Sequence, residues 1–141
     1  MARIKPDIVY LDTSAIIALF NSRDENHEKA INYFENAVRS GSIFVLSRPV
    51  LAEYLNGLSK HYNKTVAMEH YQALISSKFI HFEKETEEDW ERAWEIFFRY
   101  LDQKGIDIVD SLSFAIMERL KLRKAFTFDN DFRIHGFDVV P

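Results

Sequence analysis

Ile8-Val9-Tyr10-Leu11-Asp12 is the stretch on which the fold turns: four apolar residues in unbroken succession, stopped by a carboxylate. A strand with one wet face alternates apolar and polar residues, whereas a continuous apolar run of this kind belongs to a strand buried on both faces of a parallel sheet. Ile43-Phe44-Val45-Leu46 repeats the pattern, and Phe79 to Phe82 and Ala125 to Phe128 supply two further short strands. Between the strands the period becomes helical. Thr13 to Phe20, His27 to Arg39 and Thr65 to Ser76 are predicted helices, as is a segment capped by Ser47, with Pro49 in its first turn, that reaches about Lys60. Glu83 to Asp89 give an acidic start to a long helix closed by Gly105, with Trp90, Trp94, Phe97, Phe98 and Leu101 as a broad stripe facing the core or a dimer partner. Asp110 opens a helix to about Leu122, and Val139-Val140 forms a final edge strand. Strands alternating with helices predict an α/β fold, a three-layer α/β/α sandwich around a central, mostly parallel sheet.

The 141 residues, 47% of them hydrophobic, suffice for one well-packed core and are too few for two ordinary domains, so residues 1–141 read as a single domain. The longest apolar run, Ala15 to Phe20, falls far short of the roughly 18 residues that cross a bilayer. With no extended apolar signal region at the N-terminus, a cytoplasmic protein without membrane attachment is expected. The absence of cysteine excludes disulfides and thiolate metal sites, leaving oxygen or histidine ligands and therefore hard cations. A net charge of −4 speaks mildly against a protein that grips nucleic acid with a uniformly basic surface. If several of the 22 acids surround divalent cations, that objection weakens.

In open α/β sheets the ligand crevice lies beyond the carboxyl ends of the strands, and Asp12 and Asp129 both fall at such ends. Asp110 at a helix start and Glu53 one turn into another helix can converge on the same rim. Each has an ordinary reading as well. An Asp at a helix start is commonly just a cap, and Glu53 lies beyond the apolar edge formed by Val50, Leu51, Tyr54, Leu55 and Leu58, where a solvated acid is unremarkable. The five histidines show no metal-binding spacing. Arg119, Lys121, Arg123 and Lys124 form a basic cluster that either guides a phosphate backbone or simply suits a helix end.

Four segments together resemble the PIN domains and, within them, the VapC-type toxins of toxin–antitoxin pairs. They are Leu11-Asp12-Thr13-Ser14-Ala15, Val50-Leu51-Ala52-Glu53-Tyr54-Leu55-Asn56, Asp110-Ser111-Leu112-Ser113-Phe114-Ala115 and Thr127-Phe128-Asp129-Asn130-Asp131-Phe132, with Asp24, His27 and Ala30 as a weaker echo. The resemblance spans the chain from about residue 8 onward. It implies that Asp12, Glu53, Asp110 and Asp129 hold Mg²⁺ or Mn²⁺ and are the catalytic acids of an endoribonuclease. It further implies that Thr13 or Ser14, and Thr127, orient a ligand or water, that Asp107 and Asp131 are candidates for auxiliary acids, and that the partners are RNA, a second copy of the chain and a cognate antitoxin.

Phosphodiester hydrolysis needs water activated at neutral pH and compensation of the charge that builds on the phosphate, and a divalent ion held by carboxylates supplies both. Two other classes compete. An aspartyl phosphatase also places an Asp at a strand end, but it needs a second Asp two residues on, where this chain has Ser14. A receiver domain needs a Lys after a late strand, whereas Lys124 precedes one. The remaining alternative is a catalytically silent PIN fold that binds RNA or protein without cutting it.

Overall fold

A computed structural model describes residues 6–141. The reading of the N-terminus as free of a signal region falls partly on residues 1–5 and lies outside the described residues. Five strands, β1 (Ile8–Leu11), β2 (Ile43–Ser47), β3 (Ile80–Glu83), β4 (Lys124–Phe126) and β5 (Asp138–Val140), form one sheet in the order β3-β2-β1-β4-β5. Every pairing is parallel, so the sheet is wholly rather than mostly so. Seven helices connect them: α1 (Thr13–Phe20), α2 (His27–Arg39), α3 (Arg48–His61), α4 (Lys64–Ile75), α5 (Glu87–Arg99), α6 (Ile108–Leu120) and α7 (Asp131–His135).

The apolar run of β1 does what its composition requires. Val9, Tyr10 and Leu11 have no exposed surface, with β2 on one side and β4 on the other. Alternate side chains then separate the two outer layers. Phe44 and Phe126 meet the α2 rings, Tyr33 lying 4.9 Å from Phe126 and Phe34 5.1 Å from Phe44. Tyr10 points the other way, toward Phe132 of α7 and Ser113 of α6. Its hydroxyl donates to Ser113 Oγ at 2.7 Å and lies 2.6 Å from Ser47 Oγ, so a polar atom at the centre of the core is satisfied and ties β1 to the β2–α3 junction and to α6.

Several boundaries differ from the sequence reading for local reasons. The last long helix starts at Ile108, with Asp107 as its cap and Asp110 closing a reciprocal capping box. The long acidic helix starts at Glu87 behind a box formed by Thr86 and Asp89, while Glu83 belongs to β3. That helix ends at Arg99, well before Gly105. Its aromatic stripe divides: Trp90 and Phe97 are half-buried, whereas Trp94, Phe98 and Leu101 are exposed, and the residues of this helix that enter the core are Ala93 and Ile96. β4 ends at Phe126, because the next residues are drawn off by hydroxyls, Phe128 N–H donating to Ser14 Oγ and Asp129 N–H to Thr127 Oγ1. The five-residue α7 has no counterpart in the sequence reading.

β1 is flanked by β2, reached directly, and by β4, reached only after the chain has visited β3 and crossed back. The order of strands therefore reverses at β1, and the crevice beyond the carboxyl ends of β1 and β4 is the natural ligand position of this topology. Among the described residues no helix is long and apolar enough to cross a membrane.

Candidate active site

Asp12 follows directly on β1 and is only 4% exposed, an expensive place for a carboxylate. It occupies the cap position of α1 but makes no capping hydrogen bond with its side chain. Instead Oδ2 accepts from Thr127 Oγ1 at 2.7 Å and from Ser14 Oγ at 3.1 Å. Ser14 and Thr127, read as orienting hydroxyls, thus both hold Asp12. Burial pushes the Asp12 carboxyl up to about 6, the hydrogen bond from Thr127 opposes this, and the charge of Asp129 adds to it.

The other acids surround it. Burial pushes Asp110 up to about 8, and the charges of Asp107, Asp12 and Asp131 all act on it in the same direction. Asp131 is raised as well, by burial and then by Asp129 and Asp107, and takes a hydrogen bond from Asp110. Asp12, Asp107, Asp110, Asp129 and Asp131 therefore share one crevice at the switch point, drawn from the end of β1, the start of α6 and the β4–α7 turn. Part of Asp110 is occupied locally, since its Oδ2 accepts from the Asp107 backbone N–H at 3.1 Å.

Glu53 is exposed on α3 and reaches this rim through Thr13, whose hydroxyl donates to Glu53 Oε1 at 2.6 Å. Thr13 is the residue after Asp12, so one short side chain couples the third helix to the first acid. Glu53 also forms the ridge between two recesses. One, of about 700 Å³, runs from Thr13 between α1, α3 and α4; the other, of about 950 Å³, is an open groove between α3, α4 and α5.

The donor set is all oxygen, crowded and short of compensating cations, which is the chemistry a hard divalent ion answers. Among the described residues no three His, Asp or Glu side chains already stand as a ready-made cation cage.

The basic cluster is not part of this crevice. α6 begins at the acids and carries Arg119 to its far end, so Lys121 lies about 16 Å along the helix direction from Asp110, and Lys124 opens β4 at the opposite edge of the sheet. Arg119 is committed inside the protein, Nε donating to Asp89 Oδ1 at 2.9 Å and Nη2 to Glu83 Oε2 at 3.0 Å. Lys124 Nζ pairs with Asp7 at 2.6 Å, Lys121 is the left-handed cap of α6, and Arg123 reaches the Gly136 carbonyl. Of these four residues, Arg119 and Lys124 are thus matched to acids, while Lys121 and Arg123 remain exposed at the end of the molecule away from the crevice. His27 is structural too, its Nδ1 lying 2.7 Å from the Ala18 carbonyl oxygen.

Comparison with known proteins adds three findings. A PIN domain family model matches residues 9–137. A curated relative from Mycobacterium tuberculosis, the 23S rRNA-specific endonuclease VapC20, is 29% identical over 130 residues, 92% of this chain and 95% of that protein. The crystal structure of VapC20, a toxin that cleaves the sarcin-ricin loop, superposes with a TM-score of 0.80 at 28% identity, covering 94% of this chain and 99% of that one. VapBC2 from Rickettsia felis, solved bound to a promoter DNA fragment, shares the fold with a TM-score of 0.70 at 21% identity over 94% of this chain and 96% of its own.

Proposed function

We propose, from the premise that this chain belongs to the PIN domain family, that it is a Mg²⁺- or Mn²⁺-dependent endoribonuclease and the toxin of a VapBC-type pair. The observation that carries the reading is the convergence of Asp12, Asp110 and Asp129 on one crevice, with Asp12 and Asp110 held well above the usual carboxylate range. Acids placed so that the charge of Asp129 acts on Asp12 and that of Asp12 on Asp110 make a poor structural arrangement and a good cation receptor. The likeness to VapC20 along almost the whole chain supports RNA as substrate, and the VapBC and toxin–antitoxin complexes that share the fold support an antitoxin as partner.

In this reading Asp12, Asp110 and Asp129 hold the ion, and Glu53 completes the set from α3. Bound there, a divalent ion lowers the pKa of water and offsets charge developing on the phosphate. The protein's own contribution is positional. Ser14 and Thr127 fix one oxygen of Asp12, the Thr13 backbone N–H adds a further hydrogen bond to its carboxylate, and the Thr13 hydroxyl holds Glu53 at the rim. Asp107 holds the first turn of α6 in register, so that Asp110 stays aimed at Asp12. Asp131, hydrogen-bonded to Asp110, is placed to accept or release a proton as Asp110 changes charge. The exposed Trp94 and Phe98 of α5, with Leu101 just beyond it, are the apolar surface offered to a second copy of the chain.

The test is cleavage of labelled RNA with Mn²⁺, with chelator, and by Asp12→Ala. Cleavage in the first arm alone is expected, with activity reduced at least a hundredfold in the variant, on the order of losing a principal source of transition-state charge stabilisation. Cutting that survives chelation or Asp12→Ala overturns the reading. RNA bound but intact in every arm would favour a silent binding module.

A further inference from the structure

We infer that His135 is a positioning residue of the crevice, clamping the end of α7 to α6 and to the α5–α6 loop and so holding Asp129 and Asp131 against Asp110, a role that rests on the metal-dependent nuclease reading. α6 carries Asp110, Phe114 and Glu118 at four-residue spacing along one face, and α7 carries Asp131 and His135 one turn apart. Burial, then the charges of Asp107, Asp12 and Asp131, make Asp110 costly to ionise, so the leading ends of the two helices repel when charged.

Their trailing ends attract. The His135 side chain is only 4% exposed, with Nε2 2.9 Å from Glu118 Oε2 and Nδ1 2.6 Å from the Tyr100 hydroxyl. Glu118 is in turn gripped by Arg92, Nε donating to Oε1 at 2.8 Å and Nη2 to Oε2 at 3.3 Å. Burial works against its charge, but the bonds from Arg92 and His135 hold its carboxyl below the usual range. A charged carboxylate only accepts, which puts a proton on Nε2 and fixes the orientation of the ring. The same ring lies flat on Phe114, 4.6 Å away at 9°, while Phe132 meets Phe114 edge-on at 4.9 Å. Phe132 thus plugs α7 into the core, and His135 sets the rotation of the helix about that plug. Five residues make little more than one turn, too few to be stable alone, so these two anchors decide where Asp131 and the preceding Asp129 point.

Tyr100 brings in a third segment. It is the cap residue that ends α5, and from it the chain turns through bonds from Gln103 N–H to the Tyr100 carbonyl and from Ile106 N–H to the Gln103 carbonyl before reaching Asp107, the cap of α6. Gly105 in this loop runs so near Asp131 that a Cβ there would lie 3.5 Å from its Oδ1. One imidazole therefore joins the three segments that bear Asp107, Asp110, Asp129 and Asp131. Both of its nitrogens are taken, so it acts on the crevice through these acids and not as a ligand or proton donor of its own.

The experiment compares the unsubstituted protein with His135→Phe, which keeps the stacked ring and loses both bonds, with His135→Gln, which keeps a donor toward Glu118, and with Tyr100→Phe. Mn²⁺ affinity is read by electron paramagnetic resonance, RNA cleavage as kcat and KM separately, and amide hydrogen exchange over residues 129–136 in chelator. His135→Phe should weaken Mn²⁺ binding and lower kcat by about tenfold each, the scale of losing a group that orients metal ligands, with KM unchanged. His135→Gln should recover most of both, and exchange over α7 should quicken in His135→Phe even without Mn²⁺. A histidine that only stabilises the fold would lower the melting temperature and leave Mn²⁺ affinity and kcat of the folded molecules untouched. That result, or a His135→Gln no better than His135→Phe, overturns the clamp. Should His135→Phe not fold, Tyr100→Phe carries the same comparison with one bond removed. An unsubstituted protein that neither binds Mn²⁺ nor cuts RNA sinks the nuclease reading instead; exchange over α7 then decides the clamp, quickened exchange keeping it and unchanged exchange ending it.

Discussion

Asp12 is the most deeply buried acid of the crevice. Its rise from 3.8 to about 6 corresponds to about 3 kcal/mol between charged and neutral forms. A raised value in the folded state means that folding strengthens the hold on the proton. The stability this contributes is complete below about pH 4 and is lost as pH rises through 6, and for Asp110 through about 8. With chelator present, the melting temperature should therefore fall between about pH 5 and pH 8.5, and Asp110→Asn should flatten the upper half of that fall. Thermal scans across this window check it; a flat wild-type profile, or an equally steep one in the variant, contradicts it. The roles of these residues are unequally legible in the sequence. Asp12 and Asp129 announce themselves by standing at strand ends, but the link from Thr13 to Glu53 joins residues 40 apart and leaves no local trace.

At the scale of elements, the sequence reads well where a single period dominates and poorly where a distant contact decides. β1 and β2 are visible because both faces are buried. α7 is not, since five residues behind Asn130, which makes no capping hydrogen bond, show no recognisable period. Asp107 and Asp110 are both plausible caps for α6, and only the box they form together settles which one starts it. Arg119 looks like a free cation at a helix end, yet its partners lie 30 and 36 residues earlier. Because Asp89 is only 2% exposed, removing that partner leaves a buried acid short of its counter-charge. Arg119→Ala should destabilise the protein by about 2 kcal/mol, less than the roughly 3–5 kcal/mol of a fully buried pair because the arginine is partly solvated. It should leave the salt dependence of RNA binding unchanged. Urea denaturation and a salt titration check the two halves; intact stability with a shallower salt slope would return Arg119 to the RNA path.

Across the whole molecule, an all-parallel sheet collects every strand's carboxyl end on one edge, and residues more than a hundred positions apart meet there. Folding thus brings mutually repelling acids together, and on the proposed reading the native state alone would hold a cation there. Mn²⁺ at about a hundred times its Kd should add about 2.7 kcal/mol, a rise of roughly 5–10 °C in melting temperature, and much less in Asp12→Asn. Equal shifts in the two proteins would count against the crevice as the binding place. The fold class was open to sequence reading because alternating strands and helices leave few topologies. The far-side location of the basic cluster was not, because it depends on which way α6 runs from the crevice.

The Tyr10 hydroxyl sits beneath all of this, knotting three segments at one oxygen directly under the acids. A partly unravelled molecule cannot keep half of such a crevice, because the strand, the third helix and the sixth lose their common anchor together. Damage to this chain should therefore silence it outright instead of leaving behind a weakened, less discriminating cutter.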